Sequence, residues 1–110
     1  MRDVIDAIYQ DLKTENCGTS IKEFSRDWLC MSSSYYSYLR STDSHPTIDV
    51  LVRLFGRLEA NRLACEKAIA ESKSPIQRQV AQMTLPTYEK LSSKAQRAIV
   101  EYALGVKQTS

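Results

Sequence analysis

An all-α fold of four to five helices is predicted, and three observations make it. Apolar residues recur at helical spacing in several separate segments. Glycine and proline number only three each in 110 residues, too few for turn-dense β architecture. No alternation of period two persists beyond a few residues. The length corresponds to one domain, at roughly 100–200 residues per domain. With 43% hydrophobic and 25% charged residues the chain has what a core needs and is no disordered tail.

The first helix is predicted over about residues 2–13, where Ile5, Ile8, Tyr9 and Leu12 fall at i, i+3, i+4 and i+7. The turn formers Thr14 to Thr19 end it. Ser20 and Glu23 make an S-x-x-E capping box for a second helix, with Ile21, Phe24 and Trp28 on its apolar face and an end near Leu29 or Cys30. A short helix at about 32–41 follows, with Ser32 as its cap. Within it Tyr36 and Leu39 turn inward, leaving Ser33, Ser34, Ser37, Tyr38 and Ser41 outward. Serine and tyrosine are mediocre helix formers, so propensity alone does not select them for a solvated face.

Ser41 to Pro46 reads as a loop and Thr47 as the next cap. Ile48 to about Ser72 is the strongest helical signal, with Leu51, Leu54, Phe55, Leu58, Cys65 and Ile69 near one stripe. Gly56 weakens its middle, and a division into two helices near Ala60-Asn61 is one reading. Lys73-Ser74-Pro75 is a break, after which Pro75 opens a short helix through Gln82. Leu85-Pro86-Thr87 is a further boundary. The final helix is predicted at 92–104, opened by a Ser93/Gln96 capping box and closed by Gly105, with Ala95, Ile99, Tyr102 and Ala103 on one side.

Enzyme chemistry is the least supported class. There is no Gly-rich phosphate loop, HExxH, GxSxG or paired carboxylate platform. Cys17, Cys30, Cys65 and His45 match no compact zinc knuckle. A Cys–His nucleophile pair is equally weak, and the thiols read as small hydrophobes. No metal or cofactor is implied. The charge-scattered N-terminus does not read as a signal peptide, and no apolar run approaches the roughly 18 residues of a membrane span, so reduced thiols and a cytoplasmic setting are expected.

The informative stretch is 20–58. A capped helix, a tight turn and a short hydroxyl-rich helix can hold the second helix proud of the surface, where it fits a major groove about 12 Å wide. Ser20-Ile21-Lys22-Glu23-Phe24-Ser25 through Ser34-Tyr35-Tyr36-Ser37-Tyr38-Leu39-Arg40 resembles the helix-turn-helix of the Cro/lambda-repressor-like regulators. The continuation His45-Pro46-Thr47-Ile48 through Leu58 is similar to the family's next segment, and the likeness covers about residues 4–60. Where the family has a small residue and then a turn glycine four positions on, this chain has Ser25 and, five on, Cys30. That implies one extra residue in the first helix or a shifted turn, and a turn made without glycine.

The resemblance implies a helix-turn-helix core over 1–60 and roles for particular residues. Ser33 and Ser34 lie nearest DNA. Ser37 and Tyr38 face base edges or the sugar-phosphate rim, Tyr35 a phosphate, and Arg40 and Ser41 the backbone at the far end. Lys22, Arg26, Arg53 and Arg57 are candidate phosphate contacts, which position rather than read. Against this stand a net charge of only +2 and the acidic Asp27, Asp43 and Asp49. Tyr36 reads as packing; Tyr38, out of phase with Leu39, reads equally as packing or as a contact.

Residues 61–110 form a helical extension. Its 92–104 stripe either packs back on the core or makes an isologous contact, and dimerisation is the favoured reading. The expected function is sequence-specific binding of double-stranded DNA by a homodimeric transcriptional regulator of bacterial or phage type. The alternative is a protein-interaction adaptor or antiactivator on the same scaffold, with a protein partner in place of DNA. A DNA-recognition subunit of a larger phage assembly is a weaker third.

Overall fold

The N-terminal apolar stripe folds as its spacing dictates. In a computed structural model of the protein, which describes residues 2–15 and 19–105, helix α1 spans Arg2–Glu15, and Ile5, Ile8, Tyr9 and Leu12 are buried along one side. Asn16, Cys17 and Gly18, central to the predicted turn, lie outside the described residues. The Ser20 hydroxyl accepts the Glu23 N–H at 3.1 Å and so opens α2, a regular turn over Ile21–Glu23 that continues as a π-helical stretch over Phe24–Trp28. Helices α3 (Tyr35–Thr42), α4 (Ile48–Glu71) and α5 (Pro75–Ala103) follow. Five helices and no strand make up the described residues, an all-α bundle.

The core collects one face from each of these helices. The rings of Tyr9, Phe24 and Tyr36 meet pairwise at 5.0–5.2 Å in tilted and edge-on arrangements, the geometry that ring quadrupoles favour. Leu51, Leu54 and Leu58 come from α4, and Tyr88, Leu91 and Ala95 from α5. Trp28 stacks on Tyr88 at 6.3 Å, tying α2 to α5. Lys90 and Lys94 of α5 each place Nζ 3.4 Å from Asp11 Oδ2 on α1. Of the stripe expected to serve a dimer at 92–104, Ala95 is buried and Ile99 half-buried, while Tyr102, Ala103 and the adjoining Leu104 face out.

Several boundaries differ from the sequence reading. Helix α3 begins at Tyr35 rather than at 32. Ser34 occupies the N-cap position, and the Ser32 carbonyl accepts the Tyr35 N–H at 3.0 Å as part of a turn. Serines compete for backbone groups in non-helical conformations, and here they extend the turn instead of starting the helix.

The 24 residues of α4 are continuous through Ala60-Asn61. Asn61 Nδ2 donates to the Arg57 carbonyl at 2.8 Å, a local bond that leaves the helix intact.

Likewise α5 is one helix of 29 residues, about 43 Å long at 1.5 Å per residue and nearly the molecule's 46 Å long dimension. Pro86 sits inside it. Both Pro86 and Gln82, whose carbonyl loses its partner, are exposed, so the proline falls on the solvent side of the helix. Packing along α4 and α1 holds the two halves in line, and Ser93 and Gln96 are helix interior rather than cap. The Ser74 hydroxyl, accepting the Gln77 N–H at 3.3 Å, and Pro75 do open the helix, and Gly105 at φ +68° closes it.

Gly56 lies exposed in the interior of α4, and a Cβ there meets no atom within 4 Å. Gly56→Ala is expected to raise stability by about 0.5–1 kcal/mol, read as an increased denaturation midpoint at unchanged m-value.

Candidate functional site

The unit formed by α2, its turn and α3 is fastened by one buried hydroxyl. Ser25 is fully buried. Its Oγ donates to the Ile21 carbonyl at 3.0 Å and accepts the Tyr36 N–H at 2.9 Å. The second bond satisfies one of the orphan N–H groups in the first turn of α3. A larger side chain would push the two helices apart, and alanine would leave the N–H unpaired.

The stretch after Ser25 is wound wide. Leu29 N–H reaches the Phe24 carbonyl at 3.0 Å, five residues back, which takes up one residue more than an α-turn holds. Cys30 then turns the chain in the left-handed region at φ +58°, a conformation that costs a residue with a Cβ roughly 1–2 kcal/mol. Two arginines one turn apart on α4 brace this turn. Arg53 Nη1 donates to the Cys30 carbonyl at 3.3 Å. The Arg57 guanidinium is held more firmly in its charged form, first by a hydrogen bond with the Cys30 side chain and also by nearby Asp27.

On α3 the inward residues are Tyr36 and Leu39, both buried. The Tyr36 hydroxyl donates to Asp6 Oδ1 of α1 at 2.5 Å, and the Arg40 guanidinium lies 5.6 Å from the Tyr36 ring centre. Burial first, and then the Asp6 hydrogen bond and charge, raise the Tyr36 phenol well above the ordinary tyrosine range, with Arg40 opposing. Tyr35 is half-buried, and burial followed by Tyr38 raises its phenol too.

A family model described as a family of unknown function matches residues 5–104. The chain belongs to that family, DUF6626. No curated protein and no solved structure matches it. Within this DUF6626 chain, the outer face of α3 and its approach bring together Ser33, Ser34, Ser37, Tyr38 and Ser41, all exposed, with Tyr38 57% so. Lys22 and Arg26 are exposed on α2.

Four of the predicted site residues are engaged locally. Ser34 Oγ lies 3.5 Å from Ser32 Oγ. Arg26 Nε pairs with Asp27 Oδ1 at 3.3 Å on the surface. Arg40 lies over Tyr36. The Ser41 hydroxyl donates to the Tyr38 carbonyl at 3.2 Å. Sequence reasoning missed Thr42, whose hydroxyl donates to the same carbonyl at 2.6 Å and lies 2.7 Å from Ser44 Oγ, closing the far end of α3. It also carried no signal for the contacts that Arg53 and Arg57, expected at phosphates, make with the turn.

Ser25→Ala is expected to destabilise the fold by about 1–3 kcal/mol, the cost of a buried N–H left without an acceptor, measured by thermal or chemical unfolding. The folded protein keeps Tyr36 protonated to higher pH than the unfolded chain does. Its contribution is therefore complete below about pH 10, the unfolded value, and is lost as pH rises above it. Alkaline unfolding curves of wild type and Tyr36→Phe should converge above that pH, while their separation stays constant through neutrality.

Proposed function

We propose that this protein binds double-stranded DNA sequence-specifically, as a small transcriptional regulator that presents α3 and the preceding serines to the major groove. The observation that carries this reading is the division of α3. One face is locked to α2 through Ser25 and to α1 through Asp6. The other holds Ser37 and Tyr38 in solvent, with Ser33 and Ser34 exposed in the turn just before it. A braced helix with an uncommitted hydrogen-bonding face is the form that groove recognition uses.

Hydroxyls donate or accept and discriminate bases weakly compared with a bidentate arginine or glutamine, so DNA shape contributes to the choice of site. Lys22 at the edge of this face suits a phosphate contact.

A second reading, a protein-interaction adaptor, draws on the +2 net charge and on exposed Asp27, Asp43 and Asp49 at the ends of these helices. Those carboxylates oppose a polyanion and suit a protein surface.

Selection of bound DNA from a random duplex pool decides between them. The expected result is an enriched motif bound at about 50 mM salt, with affinity falling steeply as salt rises. Combining Ser33→Ala, Ser37→Ala and Tyr38→Ala should abolish the preference without loss of helicity. An unenriched pool, or binding indifferent to the triple variant, defeats the DNA reading. A stable complex with a protein partner, disrupted by the same variant, would establish the second.

A further inference from the structure

The outer half of the α4–α5 hairpin carries an apolar face that the fold does not cover. Ile76, Val80 and Met83 of α5 are 73%, 53% and 71% exposed. They fall at i, i+4 and i+7, one stripe of a helix. On α4 beside them stand Ala64 and Ala68, and the furrow between the two helices encloses about 490 Å³. From Ser74 to Thr87 the single charged residue is Arg78, although most of this segment is exposed. Apolar, methionine-bearing and charge-poor surface is the composition of an interface centre, not of a solvated helix.

We infer that this face pairs with the same face of a second copy, antiparallel, about a two-fold axis level with Val80. This goes beyond the DNA reading and stands without it. Register supports self-pairing. Cys65 Sγ on α4 lies 3.4 Å from Thr84 Oγ1 on α5. Counting four on from Cys65 and four back from Thr84 places Ile69 level with Val80. An axis at that height sets Val80 against Val80 of the second copy. It sets Lys67, two residues before Ile69, against Glu71, two residues after it, and the reverse.

Lys67 and Glu71 line the adjoining hollow, which shares Ala64, Ala68 and Gln77 with the furrow. Arg78, about 200° around α5 from Val80, lies on the far side of the helix from this face. Both helices thus find complementary partners under one symmetry operation, as an isologous contact requires. The alanines let the α4 helices approach closely, while Ile76, Val80 and Met83 supply the knobs. A two-helix layer about 20 Å long and about 20 Å wide offers roughly 400 Å² per copy, below the size of stable specific interfaces, so the dimer is a weak and reversible one.

Sedimentation velocity of the full chain from about 1 to 200 µM tests this. A reversible monomer–dimer equilibrium is expected. Val80→Glu, which sets like charges face to face, should raise the dissociation constant at least roughly tenfold, and Met83→Glu should weaken association as well. Both positions are exposed, and circular dichroism should show unchanged helicity. Lys67→Glu and Glu71→Lys should each weaken the dimer, and the two together should restore it. A monomer at every concentration overturns the inference. So does a dimer indifferent to both glutamate variants, or a double charge swap that fails to restore what the single ones lose.

Discussion

The geometry of the candidate surface depends on the hydroxyl of Ser25. It closes two demands at once: a donor for the carbonyl one turn back in α2 and an acceptor for an N–H at the start of α3. Helix starts leave such N–H groups without intrahelical partners, and a buried start must find them elsewhere. Here the partner comes from the helix that α3 packs on. The same bond that pays the polar debt therefore sets the distance between the helices. The wide π turn and the left-handed Cys30 follow from it, because the chain must leave α2 and re-enter α3 within a separation already set. Arg53 and Arg57 then meet the Cys30 carbonyl and side chain from α4, offsetting part of the cost of that turn.

Much of the fold was legible because its signals are local. Ile5, Ile8, Tyr9 and Leu12 needed only their spacing, Ser20 only the glutamate three residues on, and Gly105 only its place after an apolar run. Tyr36 and Leu39 were assigned inward by phase, which left the serines and Tyr38 outward. The misreadings share another character. Pro86 was taken as a boundary because proline costs a helix a bond and a clash. The structure overrides this because that side of α5 faces water while the opposite side is held along α4 and α1. Ala60-Asn61 carries no break for a similar reason: α4 is supported along its length by α5. Propensity is a weak prior where tertiary packing is continuous.

The site divides in the same way. Exposure of Ser33, Ser34, Ser37 and Tyr38 could be derived from helical phase. The partnerships that aim them could not. Ser25 and Tyr36 are eleven residues apart, Arg53 and Cys30 twenty-three, and Asp6 and Tyr36 thirty. No periodicity records such pairs. The two α4 arginines show the consequence. By sequence they are candidate phosphate contacts; the structure adds an internal partner, the left-handed turn whose carbonyl Arg53 meets.

One helix connects everything of functional interest. The first half of α4 braces the turn before α3 through Arg53 and packs Leu51, Leu54 and Leu58 into the core. Its second half leaves the core and, with α5, forms the uncovered hairpin face. A continuous helix of 24 residues is stiff over its length of about 36 Å. Association at the hairpin would therefore fix the relative orientation of two α3 helices without any contact between the units that carry them. A break at Ala60-Asn61 would have uncoupled the two ends, and so would one at Pro86. Both helices are continuous instead, so in such a pair the distance and angle between the two α3 surfaces would be set by helix geometry rather than by a linker.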